Sequence, residues 1–311
     1  MSYLIGIDAG GTKSELIAYD LHENAIFSKI GGLGNPSVNL DKTINNIISL
    51  IGECINELGK EECLLISIGM AGVETGNFAE LIKKYVESTY EIETIVLNDA
   101  EMACKAYFGS SDGILAIAGT GSSCYVQKDG KGEMVGGWGH ILGDEGSGYH
   151  TVMEVFKHIV CKIDKNLPFD NLSNKILEKI GGTSRSEIMH FIYNNEKSTI
   201  ANLFPIIVDS SMEGDSYAIY LLENAGEILA NLTCTAYKKK EFHGKARIGI
   251  KGGVFHNSCC LTASYMNELQ RNLYSFDVIT EDISTTKAVL NIYNEMRNDV
   301  GNKYSSVLNY N

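Results

Sequence analysis

Proline is scarce in this chain, three residues in 311, and no Pro-rich or Ser-rich tract occurs, so composition marks no flexible linker. Any boundary between domains must be read from pattern, although the length suffices for two domains, each with its own core. Long apolar runs are missing too. None approaches the ~20 residues a membrane helix needs, and the opening residues reach Asp8 too soon for a signal peptide. A cytoplasmic protein with no membrane partner is therefore expected. Positive charge is in deficit, 26 Lys+Arg against 39 Asp+Glu for a net −13, a field that repels DNA, RNA and anionic membrane surfaces. Nucleic acid is not an expected partner. The same field repels nucleotides, so a nucleotide site here needs concentrated backbone N–H donors and an added cation. The eight cysteines hold no CxxC pair and no Cys/His cluster at zinc spacing. Lying mostly in apolar runs, they read as reduced core residues.

What is present is a repeated pattern. Residues 3–7 (YLIGI), 14–20 (SELIAYD) and 24–30 (NAIFSKI) read as three strands of an antiparallel meander. Ile44, Ile47, Ile48, Ile51, Ile55 and Leu58 then recur at helical spacing, with Gly59 as a stop. The run "CLLISIGMAG", a helical "NFAELIKKYVESTY", the strand "ETIVLND" and a helix from near Ala100 complete a βββαβαβα series with parallel strands. At "GILAIAGTGSSCYVQKDGKGEMVGG" the series restarts: strand, Gly-rich turn, strand, turn, strand. A helical stretch over about 146–240 follows, then "ARIGIKGG", a helix over about 257–273, "SFDVIT" and a last helix from Thr285. The pattern predicts a duplicated α/β fold, with one domain over 1–112 and a second over 113–311 that carries a helical insertion.

The Gly-rich turns are the first candidate site. "GIDAGGTKS" misses the P-loop pattern, because Thr12 intrudes between Gly11 and Lys13. "GTGSSC" fails the dinucleotide fingerprint, since Cys124 stands where a third Gly is needed and a strand follows instead of a helix. What is left is a hairpin turn of small residues whose N–H groups can face phosphate oxygens without a Cβ in the way. One such turn is usually only a turn; two, each opening a repeated unit, can clamp the phosphates of one ATP.

The carboxylates have two readings each. Asp8, at the end of the first strand, is either a polar turn former or the holder of a hydrated Mg²⁺. Asp99, between a strand and a helix, is either an N-cap or a general base at the carboxyl end of a sheet strand, where open α/β sheets place ligands. In "GGWGHILGDEGSGYH" (136–150), glycine density is hard to explain by a plain helix start; Asp144 there is either a helix-dipole partner or an acceptor for sugar hydroxyls. "GIKGGVFHNS" (249–258) supplies a Gly-Gly turn that a flat base can approach, and His256 in it has no assigned role.

"GIDAGGTKSE", "LNDA", "GTGSSC", "GGWGHILGDEGS" and "GGVF", in that order, resemble the N-acetylglucosamine kinases within the BadF/BadG/BcrA/BcrD ATPase group of the actin and sugar-kinase superfamily. The resemblance implies two ribonuclease-H-like domains, actin/hexokinase-like, with a cleft between them, and transfer of the γ-phosphate of ATP, with Mg²⁺, to the 6-hydroxyl of an N-acetylated amino sugar. It implies a metal-organising role for Asp8 and catalysis by Asp99. Gly10, Gly11, Thr12 and Lys13 would be the first phosphate loop, and Gly119, Thr120, Gly121 and Ser122 the second. Gly252 and Gly253 would form the adenosine turn; Asn35, Asp99, Thr120, Ser123, Gly137 and Asp144 would hold the sugar. A homodimer is also implied. Two departures stand out: the small-residue start of the family's last helix is "TTKAVL" here, and Ser123 stands where Asn is common. The rival within the superfamily is an ATPase that activates a dehydratase through an iron–sulfur cluster bridging two subunits, which needs cysteines at an interface.

Overall fold

The computed structural model describes residues 1–74 and 76–308. The chain separates into two compact units: Met1–Asp112, Gln127–Gly132 and the segment from Ile283 onward in the first, Gly113–Val126 and Glu133–Asp282 in the second.

In the first unit the elements run β1 (Tyr3–Ala9), β2 (Ser14–Asp20), β3 (Ala25–Gly31), α1 (Leu40–Leu58), β4 (Cys63–Met70), α2 (Phe78–Tyr90), β5 (Thr94–Asn98) and α3 (Asp99–Phe108). The sheet order is β3-β2-β1-β4-β5. Strand β1 runs antiparallel to β2, with Ile5 opposite Ala18, and parallel to β4, with Ile5 opposite Ile66. Its side chains alternate between faces, as a strand requires. Tyr3, Ile5, Ile7 and Ala9 enter one core with Ile47, Ile51, Ile82 and Val86 from α1 and α2, while Leu4 enters another with Met102 and Ala106 of α3. Gly6 shares Leu4's face, and a Cβ there would lie 2.0 Å from the carbonyl oxygen of Thr286. The close approach of that backbone requires glycine.

The second unit repeats the plan: β6 (Gly113–Ala118), β7 (Ser122–Lys128), β8 (Lys131–Gly136), then six helices, α4 (Gly148–Asp164), α5 (Asn171–Ile180), α6 (Arg185–Asn194), α7 (Lys197–Ala201), α8 (Phe204–Met212) and α9 (Ser216–Lys239). It closes with β9 (Ala246–Lys251), α10 (Gly253–His256), α11 (Cys259–Asn272) and β10 (Phe276–Ile279). Its sheet order, β10-β9-β6-β7-β8, is that of the first unit read from the other edge. The duplicated α/β plan is therefore present in the strand order itself.

The helix expected over about 257–273 is α11, with the Ser258 side chain capping it by accepting the Leu261 N–H at 3.2 Å; the short α10, which ends at His256, precedes it. Two other expectations need revision. The last helix, α12 (Ala288–Leu308), follows a 3-10 turn at Thr285–Lys287 and groups with the first unit, where a single 113–311 unit was anticipated. The physical reason is an apolar face. Leu4, Leu65 and Met102 would stand bare if Ala288, Val289, Leu290 and Ile292 did not cover them. Tyr19 and Thr286 tie the turn to β2 through a 2.8 Å hydroxyl–hydroxyl bond. Finally, all eight cysteines are free, but Cys161 and Cys259 are exposed and Cys260 is partly so; Cys54, Cys63, Cys104, Cys124 and Cys234 are buried.

Candidate active site

In the first unit, the carboxyl ends of the parallel strands β1, β4 and β5 lie side by side, with Ala9 opposite Met70 and Met70 opposite Asn98. The turn after β1 closes by the Gly10 N–H donating to the Lys13 carbonyl at 2.9 Å, and the Gly34 N–H donates to the Gly10 carbonyl at 2.8 Å. Gly11, Thr12 and Lys13 are exposed. A Cβ on Gly11 would meet nothing within 4 Å, so protein packing does not explain this glycine.

Asp8 lies within β1, opposite Glu15 and Gly69, on the face shared with Gly6. Asp99 opens α3. The cap of that helix is Asn98, whose side chain accepts the N–H groups of Ala100 at 2.9 Å and Glu101 at 3.4 Å. Capping therefore does not require Asp99, although the Ala100 N–H also reaches its Oδ1 at 2.8 Å. Burial pushes the Asp99 pKa up; the Ala100 N–H opposes this, and the charges of Asp8 and Glu74 push it further up. Asn35 sits in the loop that leads to α1. Its Oδ1 accepts the Ser37 N–H at 2.9 Å, and a Cβ at Gly72, whose φ is +73°, would lie 2.5 Å from that oxygen. Glycine at position 72 lets this loop pack against the end of β4.

In the second unit the turn after β6 is shorter. The Gly119 N–H donates to the Gly121 carbonyl at 2.9 Å, with Thr120 exposed between them. A Cβ on Gly119 would again meet open space. The Gly148 N–H, at the start of α4, donates to the Gly119 carbonyl at 2.9 Å, which fixes the turn to that helix. Gly252 has a different reason: its φ is +102°, and a Cβ would lie 2.4 Å from the Ala118 carbonyl oxygen. It brings the Gly252–Gly253 turn against the end of β6, beside Gly119. Gly137, at φ +71°, packs on Ser123, whose Cβ would be 3.2 Å from an added methyl.

Asp144 is 5% exposed and holds a left-handed φ of +63°. Its carboxylate is engaged inside the protein: Oδ1 accepts the Ser122 N–H at 3.3 Å, and Oδ2 pairs with the Lys197 ammonium. Ser122 Oγ donates to the Glu145 carbonyl at 2.7 Å. The second turn and the Gly-rich loop are thus one bonded structure.

The first unit brings together Asp8, the Gly10–Lys13 turn, Asn35 and Asp99, and the second brings together the Gly119–Ser123 turn, Gly137, Asp144 and Gly252. Sequence reasoning missed Asn98 and Lys197. Asn98 had a signal, since Asn caps as well as Asp; Lys197, 53 residues from its partner, had none. Of the two cysteines available to the iron–sulfur reading, Cys124 is fully buried with its Sγ 3.6 Å from Thr233 Oγ1, and Cys161 is exposed. Among the described residues no group of three or more His, Cys, Asp or Glu could by itself hold a metal ion, and no helix is long and apolar enough to cross a membrane.

The chain is 30% identical over 288 residues to an N-acetylmuramic acid/N-acetylglucosamine kinase of Clostridium acetobutylicum, an alignment spanning 90% of this chain and 94% of that protein. It is 27% identical over 252 residues to an N-acetyl-D-glucosamine kinase of Dictyostelium discoideum, covering 76% and 79%. Its fold matches the crystal structure of a candidate N-acetylglucosamine kinase from Chromobacterium violaceum with a TM-score of 0.75 at 21% identity, over 94% of this chain and 99% of that one. A ROK family glucokinase from Streptomyces griseus, solved with glucose and AMPPNP, matches at 0.59 and 14% identity over 93% and 97%. The model of the BadF/BadG/BcrA/BcrD ATPase family matches residues 5–289, and the chain belongs to that family.

Proposed function

We propose that this protein is an ATP-dependent kinase that transfers the γ-phosphate to the 6-hydroxyl of an N-acetylated amino sugar, N-acetylglucosamine, N-acetylmuramic acid or both. The observation that carries the reading is Asp99: a carboxylate at the end of a parallel strand, relieved of the capping task by Asn98 and pushed toward higher pKa by burial and by Asp8. A carboxylate with a raised pKa is a stronger base toward the proton of an attacking hydroxyl. The names of two relatives, both kinases of N-acetylated amino sugars, support the substrate class over the dehydratase-activating reading.

The chain's residues divide the work. Asp99 accepts the 6-hydroxyl proton as the oxygen attacks the γ-phosphorus. The N–H groups and side chains of Gly10–Lys13 and Gly119–Ser122 receive phosphate oxygens, and Gly252 and Gly253 leave room for the adenine and ribose. Asn35, Ser123, Gly137 and Asp144 orient the sugar, with Thr120 close to both substrates. Asp8 alone, with phosphate oxygens and water, matches the way Mg²⁺ binds through one or two carboxylates; Mg²⁺ supplies charge neutralisation on the transferring phosphate. Catalysis is then positioning and charge complementarity, with water displaced from the nucleotide before transfer. A homodimer acting in the cytoplasm, in amino-sugar salvage or cell-wall recycling, completes the proposal. Phosphorus NMR of a reaction with ATP, Mg²⁺ and N-acetylglucosamine or N-acetylmuramic acid tests it: a sugar 6-phosphate is the expected product, and a reaction that yields only inorganic phosphate overturns the reading.

A further inference from the structure

Lys197 is the first residue of the short helix α7, and Ile200 of that helix is buried in the core of the second unit. The Lys197 side chain is only 27% exposed, and its ammonium pairs with Asp144, the residue at left-handed φ in the Gly-rich loop. The pair lies directly against the second turn. A Cβ on Gly121 would fall 2.8 Å from Lys197 Nζ and 2.9 Å from Asp144 Oδ2, and the other carboxylate oxygen holds the Ser122 N–H. One ion pair therefore touches three separate pieces of chain, the 119–123 turn, the 136–148 loop and α7. A carboxylate this buried is held in one orientation only while its cation stays in place.

We infer that Lys197 is a positioning residue for the sugar, acting through Asp144. The inference rests on the reading that Asp144 faces the sugar ring. By fixing one carboxylate oxygen, Lys197 presents the rest of the Gly-rich loop, Gly137 included, in a single arrangement against Ser123. It also neutralises a buried carboxylate beside a turn that would receive phosphate. In this role Lys197 acts on the sugar through Asp144 and not on the reacting hydroxyl or the transferring phosphate.

The test uses the full chain and its single tryptophan, Trp138, which sits in that loop and is 74% exposed. Trp138 fluorescence titrated with N-acetylglucosamine and with N-acetylmuramic acid reads sugar affinity; steady-state kinetics read KM for sugar and for ATP; a thermal melt reads stability. Lys197→Met is expected to weaken sugar binding about tenfold or more, while ATP KM stays within about threefold. Lys197→Arg, which keeps the cation, is expected to restore sugar affinity. Lys197→Met combined with Asp144→Asn is expected to bind sugar no worse than Asp144→Asn alone, because the lysine acts through the aspartate.

A Lys197→Met protein with a lower Tm and unchanged sugar affinity would make the pair structural only and overturn the inference. So would a rise in ATP KM alone, which would make Lys197 a direct phosphate ligand, or additive losses in the double variant. A wild-type protein in which neither sugar changes Trp138 fluorescence or drives ADP formation fails differently. That result overturns the kinase reading itself, and the role of Lys197 with it.

Discussion

Replacing Asp99 by Asn removes the proposed base and keeps its shape. A positioned base contributes about 10²–10⁴ in rate, which corresponds to ~3–5 kcal/mol of barrier at 1.36 kcal/mol per decade. The structure separates this loss from a folding defect. Asn98 supplies the helix cap, so α3 keeps its start. The Asp99 pKa is raised by burial first, and by Asp8 and Glu74. A native carboxyl with a raised pKa binds more protons than the unfolded chain between the ordinary carboxylate value and its own, so its contribution to stability is present at acid pH and lost as pH rises through that window. Removing the charge should therefore raise Tm at neutral pH. The assay pairs a melt with kinetics: kcat is expected to fall at least a hundredfold, KM for sugar and ATP to stay within a few-fold, and Tm to rise. A kcat within tenfold of wild type refutes the base assignment. The same shift predicts that the acid limb of the wild-type kcat/KM profile lies above the ordinary carboxylate range; a limb at or below that range contradicts it.

Other positions give simpler tests. Gly11→Ala adds a methyl that meets no protein atom within 4 Å, so Tm should not change while ATP KM rises about tenfold; unchanged ATP KM would reduce the segment to a plain hairpin turn. Gly6→Ala drives a Cβ to 2.0 Å from the Thr286 oxygen and should lower Tm sharply or prevent folding, a loss of several kcal/mol; a normal melt would show that the 3-10 turn at Thr285–Lys287 does not sit on β1. For Asp170, burial alone would push the pKa up, but the Ser173 N–H, His158 and Lys162 outweigh it and bring it down to about 2. Stability from this group is present above the ordinary carboxylate value and lost as pH falls toward about 2. Asp170→Asn should therefore melt lower at pH 7 and converge with wild type in acid, and a pH-independent difference would count against the linkage.

Much of the fold was legible because its signals are local. The meander, the α1 stripe from Ile44 to Leu58 and the restart at Gly113 each lie within one short window, where period two or 3.6 is set by the backbone itself. The return of α12 to the first unit was not, since it depends on which apolar face lacks a cover, a property of Leu4 and Leu65 on the sheet together with Met102 on α3. At the site, the two turns could be read from their glycines, and the structure divides those glycines by cause. Gly11 and Gly119 leave open space, whereas Gly252 is required by its φ and by Ala118. The Lys197–Asp144 pair could not be read, because an ion pair across 53 residues leaves no pattern in a single sequence. Asp99 shows the intermediate case: sequence offered a cap or a base, and a neighbour in the same "LNDA" segment settles the capping question.

ADP release measured with ATP and Mg²⁺, against N-acetylglucosamine, N-acetylmuramic acid, N-acetylmannosamine, glucose and no sugar in parallel, tests the central claim most directly. The proposal predicts release that depends on an N-acetylated sugar and is near background with glucose or with none. ATP hydrolysis at the same rate in all five reactions would contradict it.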